Sequence, residues 1–277
     1  MNKIAESGLV ANAFHTHAEQ YDRHVLVQKR VVKQLAESVA LHLDRAPEHI
    51  LDVGTGTGAL LEQLHVRYPS ARLTGVDIAL NMCLKSRQKL GAACQIVNGT
   101  AEALPFKTGM FDLVVSASVL QWVSDLPAAL REMSRVVRPG GDLGIAFFCH
   151  GTLHELQRCF HDVVVGDNSK MSRLHGFRDV DDVTSIVNSM GFEKAVISVE
   201  TEIDWYDDLH SLLRAIKNIG ANTGHFSERL HGQCVEVAEE YSCGEERGEK
   251  VCHERPERRL AMTPKREKRE TGREYGD

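Results

Sequence analysis

No run in the 277 residues approaches the roughly 18 consecutive apolar positions that a membrane-crossing helix needs. The N-terminal stretch MNKIAESGLVANAFH lacks the apolar core of a secretory signal. Cysteine is unpatterned: the seven, at positions 83, 94, 149, 159, 234, 243 and 252, form no C-x-x-C pair, and an odd count cannot all pair. Reduced thiols and a cytoplasmic location are expected. The 14 histidines show neither H-E-x-x-H nor another ligand spacing, so no metal site is expected. Positive charge is not in excess. A net charge of −6 argues against non-specific binding to nucleic acid or a membrane surface. No convincing His-Asp or Cys-His constellation marks general-base or nucleophilic catalysis.

Present instead is enough apolar sequence for a large core, 42% of residues. Apolar spacing at Val31, Val32, Leu35, Val39 and Leu43 predicts an amphipathic helix over 25–43, ended by Pro47. Short apolar strands are predicted at 49–53, 72–76, 94–97, 111–117 and 143–148. Helices are predicted between them at 58–68, 80–90 and 126–137, the last closed by Pro139-Gly140-Gly141. Beyond residue 150, helices are expected at 153–165, 180–190 and 209–219, and a strand at 195–203. Strands alternating with helices imply an α/β fold with a doubly wound, mostly parallel sheet.

The loop after the first strand reads LDVGTGTG, residues 51–58. Gly54, Gly56 and Gly58 permit a tight turn and close backbone approach to a ligand. With Ala59 the spacing also fits a dinucleotide fingerprint. Asp52 separates the two readings. A pyrophosphate beside this carboxylate would be repelled, by roughly 1 kcal/mol at 4 Å in water and more in a cleft. A cation would be attracted. S-adenosylmethionine (SAM) carries an ammonium and a sulfonium and no phosphate, so it suits the loop better. Asp77, closing the second strand in GVDIALNM, suits ribose hydroxyls, a device NAD sites share; helix capping is its alternative use.

Together these motifs resemble the class I SAM-dependent methyltransferases over about residues 12–224. LDVGTGTG is similar to their first motif, and Asp77 to their ribose acid, with Ile78 and Met82 flanking the adenine. NGTAEALPF (98–106) is similar to G-D-A-E-x-L-P-F, with Thr100 in place of the acid expected at the adenine amino group. Ala101 beside it and Ser116 in the fourth strand complete the expected cofactor set. Arg138-Pro139-Gly140-Gly141 matches the turn before the fifth strand. The resemblance implies a Rossmann-like core at 47–150, a helical lid at 1–46, and a cap with the rest of the sheet at 151–243.

Leu120-Gln121-Trp122 resembles two carboxyl-methylating groups, the malonyl-carrier-protein O-methyltransferases of biotin synthesis and the trans-aconitate methyltransferases. The first is favoured by Phe14…Tyr21-Asp22…Gln28, by the segment 151–156 and by the run 213–221. Tyr21, Gln121 and Trp122 are then expected to close and shape the acceptor site, although packing alone is the other reading of Tyr21 and Trp122. A carboxylate is already anionic at neutral pH and needs no base. Malonyl-acyl carrier protein or malonyl-CoA is the expected partner, with Lys170, Arg173, Arg178, Arg214 and Lys217 as a basic docking patch. A cap arginine is a further expected partner for the acceptor carboxylate. Alternatives are a small free acid such as trans-aconitate, an NAD-dependent oxidoreductase, or a SAM-binding protein without turnover.

The resembling fold ends on an antiparallel strand inserted before the sixth. Here residues 244–277 hold ten Lys or Arg and nine Asp or Glu, and few aliphatics. The expectation is a poorly ordered charged tail and a doubtful final strand, with Arg259–Thr263 its one weak candidate.

Overall fold

The computed structural model describes residues 3–163, 177–190, 192, 195–221 and 257–264. Helices α1 (Lys3–His17), α2 (Tyr21–His24) and α3 (Leu26–His42) precede the sheet. The sheet begins with β1 (His49–Val53), α4 (Ala59–Arg67), β2 (Arg72–Asp77), α5 (Leu80–Leu90) and β3 (Cys94–Asn98). It continues through β4 (Phe111–Ala117), a short 3-10 turn (Leu120–Trp122), α6 (Leu126–Val136) and β5 (Val137–Phe148). Then follow α7 (His154–Val163), α8 (Val180–Ser189), β6 (Ala195–Glu202), α9 (Leu209–Asn218) and β7 (Glu257–Pro264).

The strand order is β3-β2-β1-β4-β5-β7-β6, with β1 to β5 parallel. Both faces are covered, and the sequence of β4 shows why. Successive strand side chains point to opposite faces. Val114 enters one core, with Leu130 and Met133 of α6 and Val183 of α8; Leu113 and Val115 enter the other, with Leu35 and Val39 of α3 and Leu61 of α4; Phe111, on the far side of an irregularity in the strand, joins the first. Ile145 and Phe147 of β5 join the first, Ala146 and Phe148 the second. A strand buried on both faces reads as an unbroken apolar run, as FDLVVSA does.

Two features differ from the sequence reading. The turn residues Pro139-Gly140-Gly141 do not separate α6 from β5; they lie within β5, where its register against β4 shifts between Phe111 and Leu113. Asp112 organises the irregularity. Its carboxylate accepts the Glu48 and His49 amides (2.9 and 2.7 Å) and pairs with Arg138 Nη1 at 2.6 Å. A Cβ on Gly141 would stand 2.7 Å from the Asp112 carbonyl, so a side chain there is excluded.

The second concerns the charged tail. Glu257–Pro264 pairs antiparallel with both β5 and β6, Met262 standing opposite Ile145 and Ile197, so the doubted closing strand lies between them. Strand pairing is carried by backbone groups, and inserting β7 satisfies ladder donors and acceptors that β5 and β6 would otherwise leave open. Across the sheet end, Arg30 of α3 pairs with Glu202 of β6 at 2.6 Å.

Candidate active site

The strand order reverses between β1 and β4, the position where open α/β sheets bind ligands beyond their strand ends. A cavity of about 420 Å³ opens there. Its floor is the loop after β1. The Gly54 and Thr55 amides both donate to the Val76 carbonyl, at 2.7 and 3.0 Å, pinning the loop across β2. Gly54 has φ +76°, and a Cβ on it would lie 2.3 Å from the Val119 side chain. Only glycine fits both the backbone and the space.

Asp52, Gly54, Gly56, Asp77, Ile78, Met82, Thr100 and Ala101 all line this cavity. Two expected residues do not. Gly58 faces Ser86 and Leu90 of α5 and caps α4, and Ser116 is buried with its hydroxyl donating to the Val53 carbonyl at 2.8 Å. Its bond to the β1 carbonyl holds the hydroxyl within the sheet, and Ser116 does not line the cavity.

Asp77 accepts the Gly56 amide on one carboxylate oxygen and the Ala79 amide on the other, both at 2.8 Å. It therefore braces the glycine loop against the start of α5 and keeps lone pairs for ribose hydroxyls. It does not cap α5, whose N-cap is Ala79 without a side-chain bond. Burial raises its pKa to about 6. Asp52 is 1% exposed, and burial, with the Asp77 charge adding to it, raises its pKa to about 7. Asp22, Glu62 and Glu102 also line the cavity, against the cations Lys29 and Lys89. Lys89 pairs with Glu62 at 2.7 Å and Lys29 donates to the Asp22 carbonyl at 2.6 Å. The excess of carboxylate suits a cationic ligand without phosphate and opposes a dinucleotide.

Glu102 escaped the sequence reading. The Thr100 hydroxyl donates to its carboxylate, so an acid stands two residues beyond the position where this sequence lacks the motif's acid. The signal was visible, an acidic residue inside the motif, but the pairing depends on the turn that bridges Thr100 to Ala103.

Tyr21 and Trp122 line the cavity's outer wall together with Phe14. Phe14 meets Trp122 edge-on (centroids 5.7 Å, 73°) and Tyr21 likewise (6.2 Å, 68°). Such pairs contribute about 0.5–1.5 kcal/mol beyond burial. Trp122 is half-buried and belongs to neither main core. Burial, with the nearby Asp77 and Asp22 charges, pushes the Tyr21 phenol above its ordinary range, so it stays a donor. Asp22 accepts from Thr57 at 2.5 Å, tying α2 to the glycine loop.

Behind this wall lies a second cavity of about 100 Å³, which the same three aromatics also line. Gln121 lines this one and not the first, with Phe148, Leu156, Phe177 and Ile216. Among the described residues no Lys or Arg lines it. Arg178 is not a surface cation: it is half-buried, and Nη2 donates to the Val123 carbonyl at 3.0 Å. Burial lowers its pKa. Arg214 and Lys217 are exposed on α9, whose Leu212, Ala215 and Ile216 line the second cavity. Lys170 and Arg173 lie outside the described residues.

A family described as "Methyltransferase domain" matches residues 51–145. A malonyl-(acyl-carrier protein) O-methyltransferase of Geobacter sulfurreducens is 38% identical over 218 residues, 76% of this chain and 80% of that protein. A biotin biosynthesis bifunctional protein of Teredinibacter turnerae is 31% identical over 77% of this chain and 38% of its own length. A SAM-dependent methyltransferase structure from Thermotoga maritima superposes with TM-score 0.54 at 17% identity, covering 92% of this chain and 99% of that one, a likeness of fold. The acid-rich cavity over a glycine loop, the aromatic wall and the extent of this identity converge: the chain belongs to the malonyl-(acyl-carrier protein) O-methyltransferase family, and its cofactor is SAM.

Proposed function

We propose that the chain methylates the free carboxylate of a malonyl thioester, giving the methyl ester used in pimeloyl and biotin synthesis. The observation that carries this reading is the pair of cavities meeting at one aromatic wall, the first rich in carboxylate and the second largely apolar. SAM supplies an electrophilic methyl group on a sulfonium that leaves as a neutral thioether. A carboxylate oxygen forms the new bond to carbon while the carbon–sulfur pair returns to sulfur. No proton moves, so no general base is required.

The chain's own residues hold the reactants. Asp77 and Thr100 with Glu102 suit the ribose and adenine edge, and Asp52 suits the cationic end. Phe14, Tyr21 and Trp122 exclude water and fix the approach; orientation of this kind is worth several orders of magnitude in rate. The thioester then lies in the second cavity and the carrier outside it, where Arg214 and Lys217 offer positive charge to an acidic protein. Malonyl-acyl carrier protein is the favoured form, with malonyl-CoA the second.

Labelled SAM offered with malonyl-carrier protein, malonyl-CoA, malonate and trans-aconitate in parallel tests this. Turnover is expected with the thioesters and greatest with the carrier protein. Turnover of free acids alone would replace this reading, as would intact SAM binding with no acceptor used.

A further inference from the structure

Ser118 stands between β4 and the 3-10 turn at Leu120–Trp122, and it lines both cavities. Its φ is +59°, in the left-handed region that residues with a side chain seldom adopt. The backbone is held there from both sides. Its amide donates to the Ala146 carbonyl at 2.7 Å, and its carbonyl accepts Gln121 Nε2 at 2.9 Å. The side-chain hydroxyl is buried and meets no partner among the described residues. A strained backbone and an unpaired hydroxyl each cost stability, and such features concentrate where a ligand supplies the compensation.

We infer that Ser118 is the residue that positions the acceptor, its hydroxyl donating a hydrogen bond to the acceptor carboxylate where the two cavities meet. This rests on the methyl-transfer reading above. The chemistry favours a neutral donor. A cation paired with the carboxylate would lower the nucleophilicity of the attacking oxygen, and no Lys or Arg lines the second cavity among the described residues. A serine hydroxyl donates one hydrogen bond to one carboxylate oxygen and leaves the other free to attack. Gln121, through its bond to the Ser118 carbonyl, sets the hydroxyl's direction and so acts at one remove.

Ser118→Ala and Ser118→Gly test the inference together. Alanine removes the hydroxyl and keeps the strain; glycine removes both. With malonyl-carrier protein, both variants should lose roughly ten- to a hundredfold in kcat/KM, mainly through KM, as expected for a lost bond to a charged group. The SAM dissociation constant should be unchanged in both, and the glycine variant should melt at or above the wild-type temperature. Wild-type kinetics in either variant would overturn the proposal, as would a SAM affinity that falls in step with activity. If alanine prevents folding, the glycine variant decides alone. A wild-type protein that turns over no malonyl-carrier protein removes this proposal along with the functional reading; a wild-type protein that does so, with an equal Ser118→Gly variant, removes this proposal only.

Discussion

Phe14 of the first helix and Trp122 of the turn after β4 stand edge to face, 5.7 Å between centroids, and form the partition between the two cavities. Trp122→Ala should remove that partition while leaving both main cores intact. We expect kcat/KM for the acceptor to fall roughly tenfold or more, combining the lost aromatic pair with lost exclusion of water. SAM affinity should change less. Steady-state kinetics beside calorimetric SAM titration separates the two effects, and an unaltered kcat/KM would show that the wall is only packing.

Asp52 gives a pH signature. Its pKa near 7 means that below that pH a cation must displace a proton to bind. SAM affinity should therefore be full above pH 7 and roughly tenfold weaker at pH 6 than at pH 8. Asp52→Asn should bind SAM weakly with little of this dependence. Folding has the opposite sign: a raised carboxylate pKa favours the protonated native state, so these two aspartates stabilise the free protein less as pH rises from about 4 to 7. Melting curves of the free protein from pH 5 to 8 should fall, and a rise would contradict the burial of Asp52.

Glu102 should matter more than its absence from the expected cofactor residues suggests. Glu102→Gln should weaken SAM several-fold, in line with the loss of one charged acceptor. Thr100→Val removes the hydroxyl that holds the carboxylate and should weaken binding less. Titration of both variants checks the order.

Arg214 and Lys217 stand one helical turn apart and exposed on α9. Arg214→Glu with Lys217→Glu should raise KM for an acidic carrier protein several-fold at low salt, with the difference shrinking as salt screens the charges. Malonyl-CoA turnover measured alongside distinguishes docking from damage to the cavity wall.

Much of this architecture is legible in the amino-acid order. The strands at 49–53 and 111–117 and the helix at 80–90 stand where apolar patterning places them, because each is set by burial on one or two faces. The glycine loop, Asp77 and Met82 are local motifs and are read as such. What periodicity cannot show is conformation held from a distance. The Ser118 backbone depends on Ala146 and Gln121, the Glu102 carboxylate on Thr100, and Arg178 on a carbonyl 55 residues away. The strand at Glu257–Pro264 is obscured for another reason: its pairing is a property of backbone groups, which composition does not record.

The two cavities draw on different parts of the chain. Loops at the ends of β1, β2 and β4 shape the first, whereas the second takes most of its remaining wall from α2, α7, α9 and the residues near 204–206. Those outer segments pack on a sheet whose two cores they scarcely enter. Under the proposed function, and apart from the shared wall of Phe14, Tyr21, Ser118 and Trp122, acceptor choice is therefore separable from cofactor handling. Exchanging the flanking helices for those of another family member amounts to refitting the receiving end of a fixed methyl donor, and substrate range can drift there without the central sheet having to be rebuilt.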